Sequence, residues 1–154
     1  MQPSILCYKL LKHYEGCKLE AYRDGGGVLT IGYGQTYHTD GKPVRKGDKI
    51  TKQQAETGLT TILRTYAISV YQALKVNVKQ HQYDALVCLC YNIGIGGFER
   101  STLLKLINKG GNIEDIEKWW LVWNKDNGKV VRGLTNRRAS EFHLYNTGEI
   151  KYFN

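Results

Sequence analysis

Apolar side chains recur at helical spacing from the start of the chain. Over residues 4–15, SILCYKLLKHYE, they fall at Ile5, Leu6, Tyr8, Leu10, Leu11 and Tyr14, which predicts an amphipathic helix with Ser4 as N-cap and Gly16 as its stop. The period then shortens. Residues 19–24 and 28–33 alternate or run apolar between the turn signals GGG and TDGKP; with a segment near residues 37–45 they predict a small antiparallel sheet. Thr51 with Gln54 has the form of a capping box for a helix reaching about Leu74, with a break near Gly58. Helical patterning returns over residues 80–93, over 101–109 with Gly110 and Gly111 as stop, over 112–123 from Asn112 as cap, and over 135–146 before Gly148. IGIGGF at 93–98 reads as a turn between helices, and it lacks the glycine spacing of a dinucleotide or phosphate loop. Trp119 or Trp120 shares a helix face with Trp123, the spacing of core packing. The elements add up to an α+β fold in one domain, 1–154. Its sheet-bearing lobe spans about 15–58, its helical lobe about 59–154 plus the N-terminal helix, and a cleft is expected between them.

Candidate chemistry concentrates at residues 13–36, HYEGCKLEAYRDGGGVLTIGYGQT. Glu15 ends the first helical segment, Asp24 follows nine residues later, and Thr30 six after that, beyond Gly25, Gly26 and Gly27. A hairpin turn at the glycines returns Asp24 and Thr30 to one neighbourhood. Cleavage of a glycosidic bond needs one carboxylic acid to protonate the leaving oxygen and one carboxylate to direct a water or attack the sugar. Glu15, at the negative end of a helix and close to Tyr14 and Leu19, suits the proton donor; Asp24, beside Arg23 and a flexible turn, suits the ionised partner. On spacing alone, an exposed helix-end glutamate and a turn aspartate account for the same residues.

Charge and cysteine usage narrow the alternatives. The 154 residues are 42% apolar and 23% charged, ordinary globular usage, and no stretch approaches the roughly 20 apolar residues of a membrane span. The N-terminus lacks the basic, apolar and small-residue succession of a signal peptide, so synthesis in the cytoplasm and no stable membrane insertion are expected. A net charge of +8 suits an anionic partner, and bacterial cell wall, with carboxylates on its muramic acid lactyl-peptides, is such a polymer. Basic residues are dispersed, with small clusters at Arg137 and Arg138 and at Lys42, Arg45, Lys46 and Lys49; no nucleic-acid recognition motif accompanies them, so no nucleic-acid partner is expected. Cys88 and Cys90 point to different helix faces, and the four histidines show no ligand spacing, so no metal is expected. The four thiols read as reduced, with a bridge between Cys7 and Cys17 as the alternative after release into an oxidising space.

The string EGCKLEAYRDGGGVLTIGYG resembles the catalytic segment of phage-type lysozymes, the T-even phage lysozyme and its lambdoid relatives: an acid and glycine, an AY-x-D strand, then TIGxG. QHQYDALVCLCYNIGIGGFERSTLLKLIN, residues 80–108, resembles the family's central helix and its successor, and GLTNRRASEF, residues 133–142, its arginine-bearing C-terminal helix. The resemblance implies a lysozyme-like fold with Glu15 as general acid, Asp24 as catalytic aspartate and Thr30 as catalytic threonine. It also implies Tyr91, Asn92 and Ser101 lining the sugar cleft and Arg137 near the acid, although an arginine on a C-terminal helix is otherwise a surface residue. The implied activity is a cofactor-free, monomeric muramidase. It would hydrolyse the β-1,4 bond between N-acetylmuramic acid and N-acetylglucosamine with inversion, made in the host cytoplasm and acting on the wall after release. Inversion leaves roughly 6.5 to 9.5 Å between the two carboxyl groups. Gln35 departs from the family pattern, which often has a supporting histidine there. An idle wall-binding module would have lost the acids; all three positions are intact.

Overall fold

The computed structural model describes residues 1–154. The chain forms two compact units, one of residues 12–65 and one of residues 1–11 with 66–154. It passes between them within α1 (Ile5–Glu15) and within α2 (Lys52–Ala73).

In the smaller unit, β1 (Lys18–Arg23) and β2 (Leu29–Gly32) pair antiparallel, with Tyr22 opposite Thr30 and Arg23 opposite Leu29. The other edge of β1 bonds to residues 48–50: Ala21 N–H donates to the Asp48 carbonyl at 2.9 Å and Ile50 N–H to the Leu19 carbonyl at 2.9 Å. The third strand predicted near 37–45 is instead a tight loop with a single bridge, Tyr37 to Pro43. Pro43 has no N–H to continue a ladder, and the His38 and Lys42 backbones close on each other across a glycine. Helix α2 starts from the predicted capping box, with Gln54 N–H bonded to Thr51 Oγ1 at 3.1 Å and Thr51 N–H to Gln54 Oε1 at 2.8 Å. It runs without a break through Gly58. Ile31, Tyr33, Val44, Ala55, Leu59 and Leu63 are the buried apolar residues of this unit.

The larger unit is helical. Helix α3 (Gln80–Ile93) is buried along eight consecutive residues, Tyr83–Cys90, because it is packed on more than one side, chiefly against α7 (Arg132–Thr147). Ser4 caps α1 and ties it to α3: its N–H donates to Asp84 Oδ1 at 2.9 Å and its hydroxyl to Asp84 Oδ2. The segment predicted as a turn at 93–98 turns only at Gly94 and then forms the six-residue α4 (Ile95–Arg100). Ser101 and Asn112 cap α5 (Thr102–Asn108) and α6 (Ile113–Leu121), as their sequence positions predict. Trp120 packs against Phe142 and Tyr145, with ring centroids 6.1 and 5.2 Å away, whereas Trp119 is exposed under Lys118 and is not a core residue. A two-residue hairpin, β3 (Lys125–Asp126) and β4 (Lys129–Val130), turns on Asn127 and Gly128, both at positive φ, the geometry for which an Asn-Gly pair is suited. No helix is long and apolar enough to cross a membrane.

Candidate active site

The hairpin joining β1 and β2 is built around Asp24. One carboxylate oxygen, Oδ1, accepts the N–H groups of Gly26 and Val28, each at 2.9 Å, while the Asp24 backbone exchanges bonds with Val28 and Gly27. This is aspartate's own turn chemistry, a side chain bonded to the backbone two residues on, and Gly27 supplies the positive φ that completes it. The turn orients the carboxylate and leaves Oδ2 without a bond from the backbone. The Arg23 guanidinium donates to the Gly27 carbonyl at 2.9 Å, fixing the turn from its other side.

Thr30 lies on β2 and is only 3% exposed. Its hydroxyl donates to the Val28 carbonyl at 2.9 Å, so its lone pairs remain to accept a hydrogen bond. Directly across the ladder sits Tyr22, whose side chain shares the face of Thr30. Burial, then the negative charge of Glu15, then that of Asp24, push the Tyr22 phenol above its ordinary range. Tyr22 thus lies within the field of both acids, which the hairpin and the end of α1 bring to one neighbourhood. Sequence reasoning assigned Tyr22 no role; its place in AY-x-D, two residues before the aspartate, is the signal that marks it.

Glu15 is half-buried at the last position of α1. That end of the helix is braced from three residues earlier. Lys12 pairs with Glu56, Glu56 accepts the Tyr33 hydroxyl at 2.8 Å, and Lys52 donates to the same hydroxyl at 2.6 Å. Lys12 and Lys52 also stand over the Tyr33 ring, 5.7 and 5.0 Å from its centroid. The brace joins α1, the loop after β2 and α2, and so positions the acid that follows it.

The other predicted site residues lie in the helical unit. Tyr91 packs its ring on Tyr66 with centroids 5.0 Å apart. Asn92 accepts a hydrogen bond from Arg138 through Oδ1. Ser101 is 5% exposed and its hydroxyl caps α5: it accepts from Leu104 N–H at 3.1 Å and donates to the Phe98 carbonyl at 2.7 Å. Arg137 is buried, against the surface placement usual for an arginine there, and pairs with Glu141 at 3.1 Å. Glu141, which the sequence did not single out, also receives Arg138 at 3.1 Å and the Trp120 indole N–H at 3.3 Å. One fully buried carboxylate therefore holds two buried guanidiniums, and the Arg137-Arg138 pair is no surface cluster.

All four thiols are free. The sulfur neighbour of Cys7 is Cys88, 3.6 Å away, and Cys17 is half-buried. No group of three or more His, Cys, Asp or Glu side chains is arranged to hold a metal ion.

A helical unit with a small two-stranded hairpin unit carrying this trio is the lysozyme-like arrangement, and solved structures share it. The endolysin of Escherichia coli O157:H7 phage FAHEc1 superposes with a TM-score of 0.90 at 39% identity, covering 98% of this chain and 97% of that one. The chain belongs to the phage lysozyme family, which matches residues 12–141. It is 41% identical over 153 residues to the endolysin of Bacillus phage PZA, covering 98% of this chain and 57% of that protein. To the endolysin of Salmonella phage P22 it is 36% identical over 135 residues, covering 88% of this chain and 91% of that one. The chain thus spans little more than half the length of the Bacillus phage relatives.

Proposed function

We propose that the protein is a muramidase of the endolysin type, hydrolysing the β-1,4 bond between N-acetylmuramic acid and N-acetylglucosamine in bacterial peptidoglycan. Glu15 donates a proton to the bridging oxygen as positive charge develops on the sugar. The observation that carries the reading is the hydrogen-bond state of Asp24 and Thr30. Thr30 gives its proton to the Val28 carbonyl and Asp24 has one oxygen clear of the turn, so both act as acceptors. A water donating its two protons to them presents a lone pair outward, the orientation an in-line attack on the anomeric carbon requires. Such a water supports inversion, because a carboxylate that attacked the sugar itself would leave Thr30 no task. Tyr22 lines the site opposite Thr30, and Tyr91 and Asn92 contribute to holding the glycan; Ser101 acts through the cap of α5, and Arg137 through its pairing with Glu141. No cofactor enters, and one copy of the chain suffices. Host lysis is the biological role that relatives described as endolysins suggest, with synthesis in the host cytoplasm and action on the wall after release.

The test is clearance of purified cell walls with analysis of the new reducing ends. Wild-type protein should produce reducing muramic acid and, by NMR of early product, the α-anomer. Glu15→Gln should lose at least about a hundredfold in rate, the usual contribution of a general acid, with an unchanged circular dichroism spectrum. Near-normal clearance by that folded variant, or β-anomer appearing first, would refute the assignment.

A further inference from the structure

A cavity of about 700 Å³ opens in the helical unit, where the end of α3 meets the start of α7 and the β3–β4 hairpin. Its size is that of a small-ligand site. Its walls are largely apolar, Ile93, Trp123 and Leu134 among them, while Lys125 and Asp126 stand exposed on the hairpin. Asn92, also exposed, brings a side-chain amide to the cavity from the last turn of α3.

A carboxamide has donors at one end and an acceptor at the other, and a freely rotating one presents either. Here one end is taken. Arg138 donates from Nη2 to Asn92 Oδ1, and a guanidinium has only donors, so the amide turns its oxygen toward Arg138 and its NH2 group away. Flipped, it would set donor against donor. The Asn92 side chain has no further hydrogen-bond partner in the protein, so the end left for a ligand is a donor.

That polarity is imposed from the core. Arg138 is fully buried, and its Nε lies 3.1 Å from Oε1 of Glu141, which is fully buried as well. Glu141 is held in turn. Arg137 Nε donates to its Oε2 at 3.1 Å and the Trp120 indole N–H to its Oε1 at 3.3 Å, while Arg137 Nη2 reaches the Cys88 carbonyl of α3 at 3.4 Å. A buried guanidinium cannot swing away without leaving its carboxylate uncompensated, so the donor that faces Asn92 is fixed in place. The packing of α7 on α3 thereby decides which end of one exposed amide a ligand meets.

We propose that Glu141 and Arg138 are positioning residues that hold Asn92 as a hydrogen-bond donor, and that this donor reads an amide carbonyl of the wall polymer, on a sugar acetamido group or on the peptide. That the ligand is the wall polymer rests on the muramidase reading; the polarity of Asn92 does not. The probe is the β-1,4 tetrasaccharide of alternating N-acetylglucosamine and N-acetylmuramic acid, bare and with its stem peptides. It is titrated calorimetrically into proteins that all carry Glu15→Gln, so that it stays whole, and in high salt, which screens added charge. Asn92→Asp keeps an acceptor for Arg138 but removes the donor. We expect it to melt no lower than its parent and to bind about tenfold more weakly or worse. Weakening with the bare sugar assigns the carbonyl to the acetamido group; weakening with the peptide-bearing form alone assigns it to the peptide. Arg138→Lys keeps the charge but not the fork, and should weaken binding when Asn92 is present but not when it is replaced by alanine. A merely structural arginine would not show that coupling. If Arg138→Lys does not fold, Asn92→Asp decides alone, because Asn92 is exposed. Unchanged affinity of Asn92→Asp for both ligands, or an equal loss from Arg138→Lys in both backgrounds, would overturn the proposal. Wall clearance by protein with Glu15 intact separates the readings. Donor-dependent binding without hydrolysis refutes the muramidase alone, and hydrolysis with an indifferent Asn92→Asp refutes the positioning alone.

Discussion

Individual side chains here are constrained by atoms far away in sequence. Gly58 sits inside α2, where alanine would ordinarily add about 1 kcal/mol of helix propensity. Its missing Cβ is instead the space that the Gln35 amide occupies. Gly58→Ala should therefore lose stability, since overpacking costs about 1–3 kcal/mol, and in a Gln35→Ala background the same change should become stabilising. Urea denaturation of the four proteins of that cycle measures the sign reversal; the same sign in both backgrounds would show that the amide moves aside freely. The cysteines make a second residue-scale case. Cys7, Cys88 and Cys90 are buried, and burial, with a smaller contribution from Glu99, pushes the Cys90 thiol up to about 12. Hydrogen bonding to Cys88 and burial raise Cys7 as well. A thiol reagent should thus modify Cys17 alone in the native protein and all four cysteines after unfolding, as mass spectrometry would record.

At the scale of elements, capping residues do much of the ordering. Ser101 closes α4 by donating its hydroxyl to the Phe98 carbonyl and starts α5 by accepting the Leu104 N–H. Ser101→Ala removes both bonds at a buried site and should lower stability by about 1–2 kcal/mol, a fall in melting temperature of about 2 to 8 °C for a chain of this size. If sugar contact were the main task of Ser101, the variant would melt normally and show its defect only in activity. The capping patterns at Thr51, Asn112 and Ser101 were readable because a cap is a local contract between residues three apart. The loop of residues 37–45 was not, because a strand exists only where a partner edge is available. The partner of β1 is the later stretch 48–50.

For the molecule as a whole, ion pairs in the smaller unit set its behaviour in acid. The hydrogen bond from Lys12, opposed by some desolvation and reinforced by Tyr33, holds Glu56 below the usual carboxylate range, and Asp48 is held down by His38. A carboxyl group depressed in the folded state binds its proton more readily when unfolded. Its stabilisation is complete above the unfolded value of about 4.3 for glutamate or about 3.9 for aspartate, and is lost as pH falls through the folded value. Thermal melting followed downward from pH 6 should therefore show a decline beginning near pH 4 to 5, shallower in Glu56→Gln. An identical slope in that variant would remove the Lys12–Glu56–Tyr33 brace from the acid response.

Local sequence by itself determined most of the helices, the caps at Ser4, Thr51, Ser101 and Asn112, and the β1–β2 hairpin, but not α4 or the continuity of α2 through Gly58. With the family resemblance it also pointed to the proposed trio Glu15, Asp24 and Thr30, because helical period, turn chemistry and motif spacing are all written within short stretches of neighbouring residues. Only the tertiary structure decided which polar groups are buried and with whom. It set the two guanidiniums of Arg137 and Arg138 on Glu141, brought Tyr22 within the electrostatic reach of Glu15 and Asp24, and wedged Gln35 between two glycines, one of them 23 positions further along the chain. Burial and partnership depend on what the rest of the chain leaves room for, and no local pattern carries that information.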